Sequence, residues 1–167
     1  MIAQSVEIKG RELLNDVVYS DKHDWIDFKK TKKIPVVVCY VVWGEKLLIL
    51  KRTKEVCSFK GKWNVVSGFL EPDKDIKTLI LEELFEETGL LENNIETVSE
   101  CMMTELDDSE NDITAIGFNF LVKVKEKFIV KLDFEHSAYV WVNKDELKEF
   151  DTISGVVENF ENLVKKY

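Results

Sequence analysis

An uninterrupted run of eight apolar residues, 36–43, constrains the fold of this chain more than any other feature. The run is rich in β-branched side chains, and it is far shorter than the ~20 residues that a membrane-spanning helix needs. It therefore predicts a strand buried on both faces, which requires other elements packed on each side of a sheet. Gly44 and Glu45 then turn the chain into a second predicted strand, Lys46–Arg52, so the pair forms a hairpin.

The rest of the chain predicts a mixed sheet with few helices, of the α/β or α+β class. Two short strands within residues 63–70 meet at Gly68, and the further predicted strands are residues 95–103, 113–124 and 138–142. The predicted helices cover residues 75–88, a short segment opened by Asn143, and an amphipathic stretch over residues 153–166.

Length and charge limit the domain count and the partners. The chain has 167 residues, which favours one domain, and we divide it into an N-terminal extension (1–33), a core (34–150) and a C-terminal helical segment (151–167). Its net charge of −9 argues against a nucleic acid polymer or an anionic membrane as partner. The three scattered cysteines and the absence of a secretory signal predict a cytoplasmic protein.

The helix over residues 75–88 carries an unusual set of carboxylates. Asp75 is the expected N-cap, and Gly89 stands where helices often end. On a helical wheel Glu83, Glu86 and Glu87 fall within an arc of about 100°, in line with the apolar stripe that precedes them. Carboxylates this close repel one another, and a divalent cation such as Mg²⁺ or Mn²⁺ would relieve the repulsion.

Residues 68–90 resemble the Nudix box, whose pattern is glycine, five residues, glutamate, seven residues, and then Arg-Glu-aliphatic-x-Glu-Glu-x-Gly-aliphatic. The matching positions are Gly68, Glu83, Leu84, Glu86, Glu87, Gly89 and Leu90. The resemblance implies the αβα-sandwich fold of Nudix hydrolases with a mixed sheet. It also implies Mg²⁺-dependent (or Mn²⁺-dependent) attack of water on the pyrophosphate of a small, nucleotide-like metabolite, and it allows a homodimer.

The same resemblance assigns roles to particular residues. It implies that Glu83, Glu86, Glu87 and Gly68 hold the metal, with Glu83 also a candidate for the general base. Glu135, outside the box, is the other candidate for that base. The cationic residues expected to bind phosphate oxygens are Lys51, Arg52 and Lys62, although strand-end charges of this kind can also simply face solvent.

Three positions depart from the family pattern. Lys74 stands where the pattern has glutamate, and Glu82 stands where it has arginine. In the family these two residues form an ion pair that braces the loop against the helix, so we expect Lys74 and Glu82 to keep the pair with exchanged charges. Ser67 replaces the usual first glycine of the pair that precedes the box, next to the loop that supplies a backbone carbonyl to the metal.

Four further features have structural interpretations. Trp63 and Trp141 are expected to pack in the core or at its rim, and His136 is expected to form a hydrogen bond rather than to ligate a metal. The acidic segment 105–112 reads as a mobile, solvated loop.

Two alternatives to a Nudix hydrolase remain open. The first is a Nudix-fold nucleotide-binding or sensor domain with impaired catalysis, suggested by the exchange at Lys74 and Glu82. The second is an isopentenyl diphosphate isomerase on a related fold, which Cys57 and His23 support poorly because of their positions in the chain.

Overall fold

The computed structural model describes residues 2–20, 26–56, 58–108 and 112–167, so Cys57 and His23 lie outside the described residues. The described strands are β1 (Lys33–Trp43), β2 (Lys46–Arg52), β3 (Trp63–Asn64), β4 (Val66–Phe69), β5 (Ile95–Val98), β6 (Met102–Asp108), β7 (Ile113–Val124) and β8 (His136–Val142). The described α-helices are α1 (Gln4–Leu14), α2 (Ile76–Thr88), α3 (Lys144–Leu147) and α4 (Val156–Lys166).

The strands form one mixed sheet around a parallel pair. β1 and β7 run parallel, with Val37 opposite Phe118, and every other pairing is antiparallel among the described strands. The other edge of β1 pairs with two strands. Residues 36–39 pair with β4, and residues 42–43 pair with β2 across the predicted hairpin turn at Gly44. β3 and β8 continue the sheet from β2, whereas β5 and β6 pair with β7.

Two apolar cores lie on opposite faces of the sheet, as the run at residues 36–43 predicts. On one face Val37, Cys39 and Val41 of β1 pack with the apolar side chains of α2. On the other face Tyr40 and Val42 pack with α3 and α4. Since helices cover both faces of a mixed sheet, the αβα-sandwich prediction is confirmed.

Both ends of α2 are capped as predicted. The Asp75 carboxylate accepts a hydrogen bond from the Thr78 backbone N–H at 2.8 Å, and Gly89 ends the helix with a φ of 72°, a conformation that glycine adopts without strain. The Glu7 carboxylate of α1 accepts a further bond from the Ile76 N–H at 3.0 Å. The N-terminal segment is therefore fastened to the start of α2.

The structure corrects two predictions about residues 95–112. The single strand over 95–103 is instead two strands, β5 and β6, and β6 continues to Asp108 into the segment expected to be a loop. Leu106 pairs with Ala115 and packs against the core, while the flanking acidic side chains Glu105 and Asp107 face solvent. Backbone pairing with β7 and alternate burial thus outweigh the acidic composition; residues 109–111 lie outside the described part of the chain.

The C-terminal helix begins later than predicted, at Val156 rather than at residue 153. Gly155 has a φ of 85°, and this left-handed conformation cannot extend the helix toward Ile153. Ile153 is nevertheless buried, in the core beneath α4. In the part of the chain that the structure describes, no helix is long and apolar enough to cross a bilayer.

Candidate active site

A cavity of about 790 Å³ brings most of the predicted site residues together. Glu83, Glu86 and Glu87 of α2 line it, as do Glu135 from the loop before β8 and Arg52 from the end of β2. The cavity extends past β4 to the face of the sheet that carries Val38 and Tyr40. This is not the face on which α2 packs. The cavity therefore has an acidic end and a largely apolar floor.

Gly68 allows Glu83 to lie directly against β4. A Cβ atom at position 68 would stand 1.9 Å from Glu83 Oε1 and 2.1 Å from its Cδ, distances that no real side chain tolerates. The preceding residue, Ser67, donates its backbone N–H to Glu87 Oε2 at 3.4 Å. The segment at Gly68 and the carboxylates of α2 therefore fit together only because residue 68 has no side chain.

Burial raises the pKa of both inner carboxyls. The pKa of Glu83 rises from 4.5 to about 8, first because the group is withdrawn from water and then because Glu86, Glu71 and Glu135 add negative charge. Burial also raises the pKa of Glu87 well above its ordinary value, with Glu83 and Asp133 contributing repulsion. The helix thus holds two carboxyls where negative charge is costly unless a cation is present.

We expect the free energy of unfolding of the metal-free protein to fall as pH rises from 4.5 to about 8. In that window the folded protein keeps a proton on Glu83 that the unfolded chain has released, so each rise in pH favours unfolding. Urea unfolding in EDTA at several pH values measures this, and Glu83→Gln should flatten the profile. The exposed Glu126, changed to glutamine, is the control. Parallel profiles for Glu83→Gln and the unmodified protein would contradict the assignment.

Arg52 and Glu135 line the cavity from segments outside α2. The Arg52 guanidinium lies 3.5 Å from Glu135 Oε2 and donates from Nε to the Ser58 carbonyl at 3.1 Å. Glu135 is further held by its backbone carbonyl, which accepts a bond from the Thr53 N–H. Arg52 is mostly buried and Glu135 is about one-third exposed, so both are positioned yet reachable.

Asp133 is a cavity residue that sequence reasoning missed. Its carboxylate bonds the Nδ1 of the buried His136 at 2.7 Å and accepts the Glu135 backbone N–H at 3.2 Å. His136 is therefore a hydrogen-bonding partner, as predicted, and it helps to fix the loop that carries Glu135. No motif marks Asp133 in the sequence, because it lies in a segment with neither helical nor strand periodicity.

Lys74 and Glu82 are paired in the structure. Lys74 Nζ lies 2.6 Å from Glu82 Oε2 and 3.0 Å from Glu71 Oε2. Hydrogen bonds to these two carboxylates raise the pKa of Lys74, which therefore stays charged. The contact joins the loop before α2 to the helix itself; its importance for activity stays a prediction.

Reversing this ion pair should preserve activity when both charges are exchanged. Lys74→Glu alone places a carboxylate beside Glu71 and Glu82 and removes a cation that favours ionised Glu83, so we expect a several-fold loss of kcat/KM. Glu82→Arg alone should lose less, and the double mutant should recover most of the loss. Steady-state kinetics on the three variants measure this. Unmodified activity in both single mutants would contradict a bracing role.

Two predicted phosphate-binding residues lie elsewhere. Lys51 and Lys62 are not among the described residues that line the cavity. The Lys51 ammonium lies over the Trp63 ring, 5.8 Å from its centre, and Lys62 Nζ pairs with Asp151 at 2.6 Å. Contact of either lysine with phosphate stays a prediction, and the structure brings only Arg52 of the three into the cavity.

The two tryptophans have the packing roles predicted for them. Trp63 meets Phe150 edge-on, with ring centres 5.1 Å apart. Trp141 is buried and meets Phe128 in the same manner at 5.8 Å. Neither ring lines the cavity among the described residues.

Comparisons with known proteins agree with this arrangement. A family model described as "NUDIX domain" matches residues 32–160. The MutT protein from Methanosarcina mazei Go1 superposes with a TM-score of 0.67 at 22% identity, over 81% of this chain and 95% of that one. A C. elegans Ap4A hydrolase has a TM-score of 0.65 at 13% identity, over 80% of this chain and 99% of that one.

A third structure covers nearly all of this chain. The bifunctional NMN adenylyltransferase/ADP ribose pyrophosphatase from Francisella tularensis has a TM-score of 0.66 at 16% identity, over 96% of this chain and 46% of that one. At these identities the structural similarities establish the fold. Comparison with curated proteins finds no match.

Proposed function

The chain belongs to the NUDIX domain family of pyrophosphohydrolases, and from this premise we propose that it hydrolyses a pyrophosphate bond in a small, nucleotide-linked metabolite. The observation that carries the proposal is the pair of carboxyls withdrawn from water, the buried Glu87 and the partly buried Glu83, in the same cavity as Arg52 and Glu135. Buried acids with raised pKa values in a cleft are typical of functional sites rather than of stabilising surface charge.

The donor set fits a divalent cation such as Mg²⁺ or Mn²⁺. Glu83, Glu86 and Glu87 would hold it with hard carboxylate oxygens, together with the backbone carbonyl near Gly68. Among the described residues no three acidic, cysteine or histidine side chains yet form a coordination shell, so binding requires these flexible side chains to adjust. When bound, the cation neutralises phosphate charge and lowers the pKa of the attacking water.

The protein's own residues account for the remaining chemistry. A water oxygen forms a bond to one phosphorus while the bridging P–O bond breaks, so two phosphate-containing products result. Arg52 is placed to hold phosphate oxygens, and Glu135 is our candidate to take the proton of the water, with Glu83 as the rival.

The main argument for a binding domain with impaired catalysis is weaker once the structure is known. It depends on the exchanged charges at positions 74 and 82, and those residues form an ion pair of 2.6 Å. The cavity also keeps the three carboxylates of the box, which binding alone does not require.

A hydrolysis screen, in which the nucleotide products are separated by chromatography, tests the proposed function. Nucleoside triphosphates, dinucleoside polyphosphates and nucleoside diphosphate sugars are each incubated with Mg²⁺ or Mn²⁺, and Glu86→Gln and Glu87→Gln serve as matched variants. We expect turnover of at least one class that requires the metal and falls in both variants. Absence of turnover with every substrate, or equal turnover in the variants, would refute the proposal.

A further inference from the structure

Part of the cavity wall comes from outside the region that matches the family. Phe28, in the segment that precedes β1, lines the cavity beside Phe69 of β4, whereas the family match begins at residue 32. The two ring centres are 5.9 Å apart and the planes are tilted by 58°. Phe28 is 42% exposed and Phe69 is 46% exposed, so apolar ring surface remains open to the cavity.

The backbone around Phe28 is fixed although its ring is exposed. The Asp27 N–H donates to the Val18 carbonyl at 2.7 Å, and the Thr31 N–H donates to the Asp27 carbonyl at 2.9 Å. The fully buried Thr31 hydroxyl also accepts a bond from the Val18 N–H at 3.0 Å. Phe28 therefore sits on a turn tied on both sides, and its exposed ring is held beside the cavity.

The sheet next to this aromatic pair forms the floor of the cavity, which is mostly apolar. Phe69 lies opposite Val36 on β1, and Val36 lies opposite Gly117 on β7. A Cβ atom at Gly117 would come within 3.0 Å of Asn119 Nδ2 and Thr104 Oγ1, so the glycine keeps the floor clear. The floor thus runs from aromatic rings on β4 to amide and hydroxyl groups on β6 and β7.

We propose that Phe28 and Phe69 form a shelf for the nucleobase of the substrate, so that the N-terminal segment takes part in substrate specificity. The inference rests on the proposed function, because it takes the substrate to be nucleotide-linked. A nucleobase has apolar faces that stack on aromatic rings and polar edges that need hydrogen-bonding groups. The shelf provides the apolar surface, and polar side chains that include Glu158 and Asn159 line the same cavity, as do the carboxylates of α2.

Binding of non-hydrolysed ligands tests the shelf apart from turnover. The probes are the α,β-methylene analogues of ADP, GDP, CDP and UDP, which lack the hydrolysable P–O–P bridge, with methylenediphosphonate as a diphosphate that has no base. Each is titrated calorimetrically in the presence of Mg²⁺. Phe28→Ala should weaken the best nucleoside diphosphate by about 5- to 100-fold and leave methylenediphosphonate unchanged. Phe28→Tyr should restore binding, because it keeps the ring.

Phe85→Ala is the matched control, since Phe85 is also exposed (55%) but does not line the cavity among the described residues. Equal weakening of both probe types in Phe28→Ala would indicate a structural role and overturn the proposal, as would unchanged nucleotide binding. Failure of the unmodified protein to bind any of the four nucleotides would also overturn it. Nucleotide binding that depends on Phe28 without turnover of any substrate would refute the proposed hydrolysis alone.

Discussion

Replacing Glu83 with glutamine is expected to lower kcat by about 10²–10³-fold or more, with Glu87→Gln of similar severity. Both side chains lie in the cavity, and burial already makes their negative charge dependent on compensation. Glutamine keeps the shape but removes the charge that would bind a divalent cation. Steady-state kinetics with the substrate found in the screen provide the measurement.

A second readout separates loss of metal binding from loss of folding. Mg²⁺ or Mn²⁺ should raise the unfolding temperature of the unmodified protein, because the ion binds only the folded state, and this rise should disappear in both variants. Glu126→Gln, on the exposed surface, should retain both the activity and the metal-dependent rise. Full activity in Glu83→Gln and Glu87→Gln would contradict the proposal that these carboxylates bind the metal.

The second large effect is expected from Gly68→Ala, which should reduce kcat at least about 100-fold while the protein still folds. The new Cβ atom would overlap Glu83 Oε1 and Cδ and would stand 2.7 Å from its Cγ. Because the overlapping atoms belong to a flexible side chain, Glu83 can move aside at a cost of about 1–3 kcal/mol in unfolding free energy. The carboxylate then no longer occupies its catalytic position.

A double-mutant cycle shows whether the clash with Glu83 is the cause. In a Glu83→Ala background the destabilisation by Gly68→Ala should largely vanish, because the overlapping atoms are gone. Gly44→Ala is the control: its φ of 58° makes alanine strained, but no atom lies within 4 Å, so stability should fall without loss of kcat. Unchanged kcat in Gly68→Ala would show that the close approach is not required.

The strongest sequence predictions concern local chemistry. Asp75 and Gly89 bound α2 as predicted, because a carboxylate cap and a left-handed glycine act through neighbouring backbone groups. Residues 36–43 predict burial on both faces, since so many apolar side chains leave no face for solvent. The acidic composition of residues 105–108 predicts a loop where the structure has a strand, because pairing with β7 is a long-range contact that composition does not encode.

The cavity was only partly predictable. Arg52 and Glu135 are separated by many residues in sequence, and their proximity follows from the pairing of β2 with β8. The same pairing places His136 opposite Arg52, and a hydrogen bond to the His136 ring holds Asp133 at the cavity. Lys51 and Arg52 are adjacent cationic residues, so the sequence does not distinguish them. Side chains alternate along β2, however, and Lys51 therefore packs over Trp63 while Arg52 lines the cavity.

By itself the sequence determined the doubly buried strand at residues 36–43, the helix with its capped ends and the set of carboxylates, because each depends on periodicity or spacing within one segment. Only the tertiary structure decided which distant side chains meet: it brought Arg52 to Glu135 and placed Phe28 beside Phe69. It also decided that Glu87 is buried and Glu83 partly buried, and this withdrawal from water, rather than residue type, is the main cause of their raised pKa values.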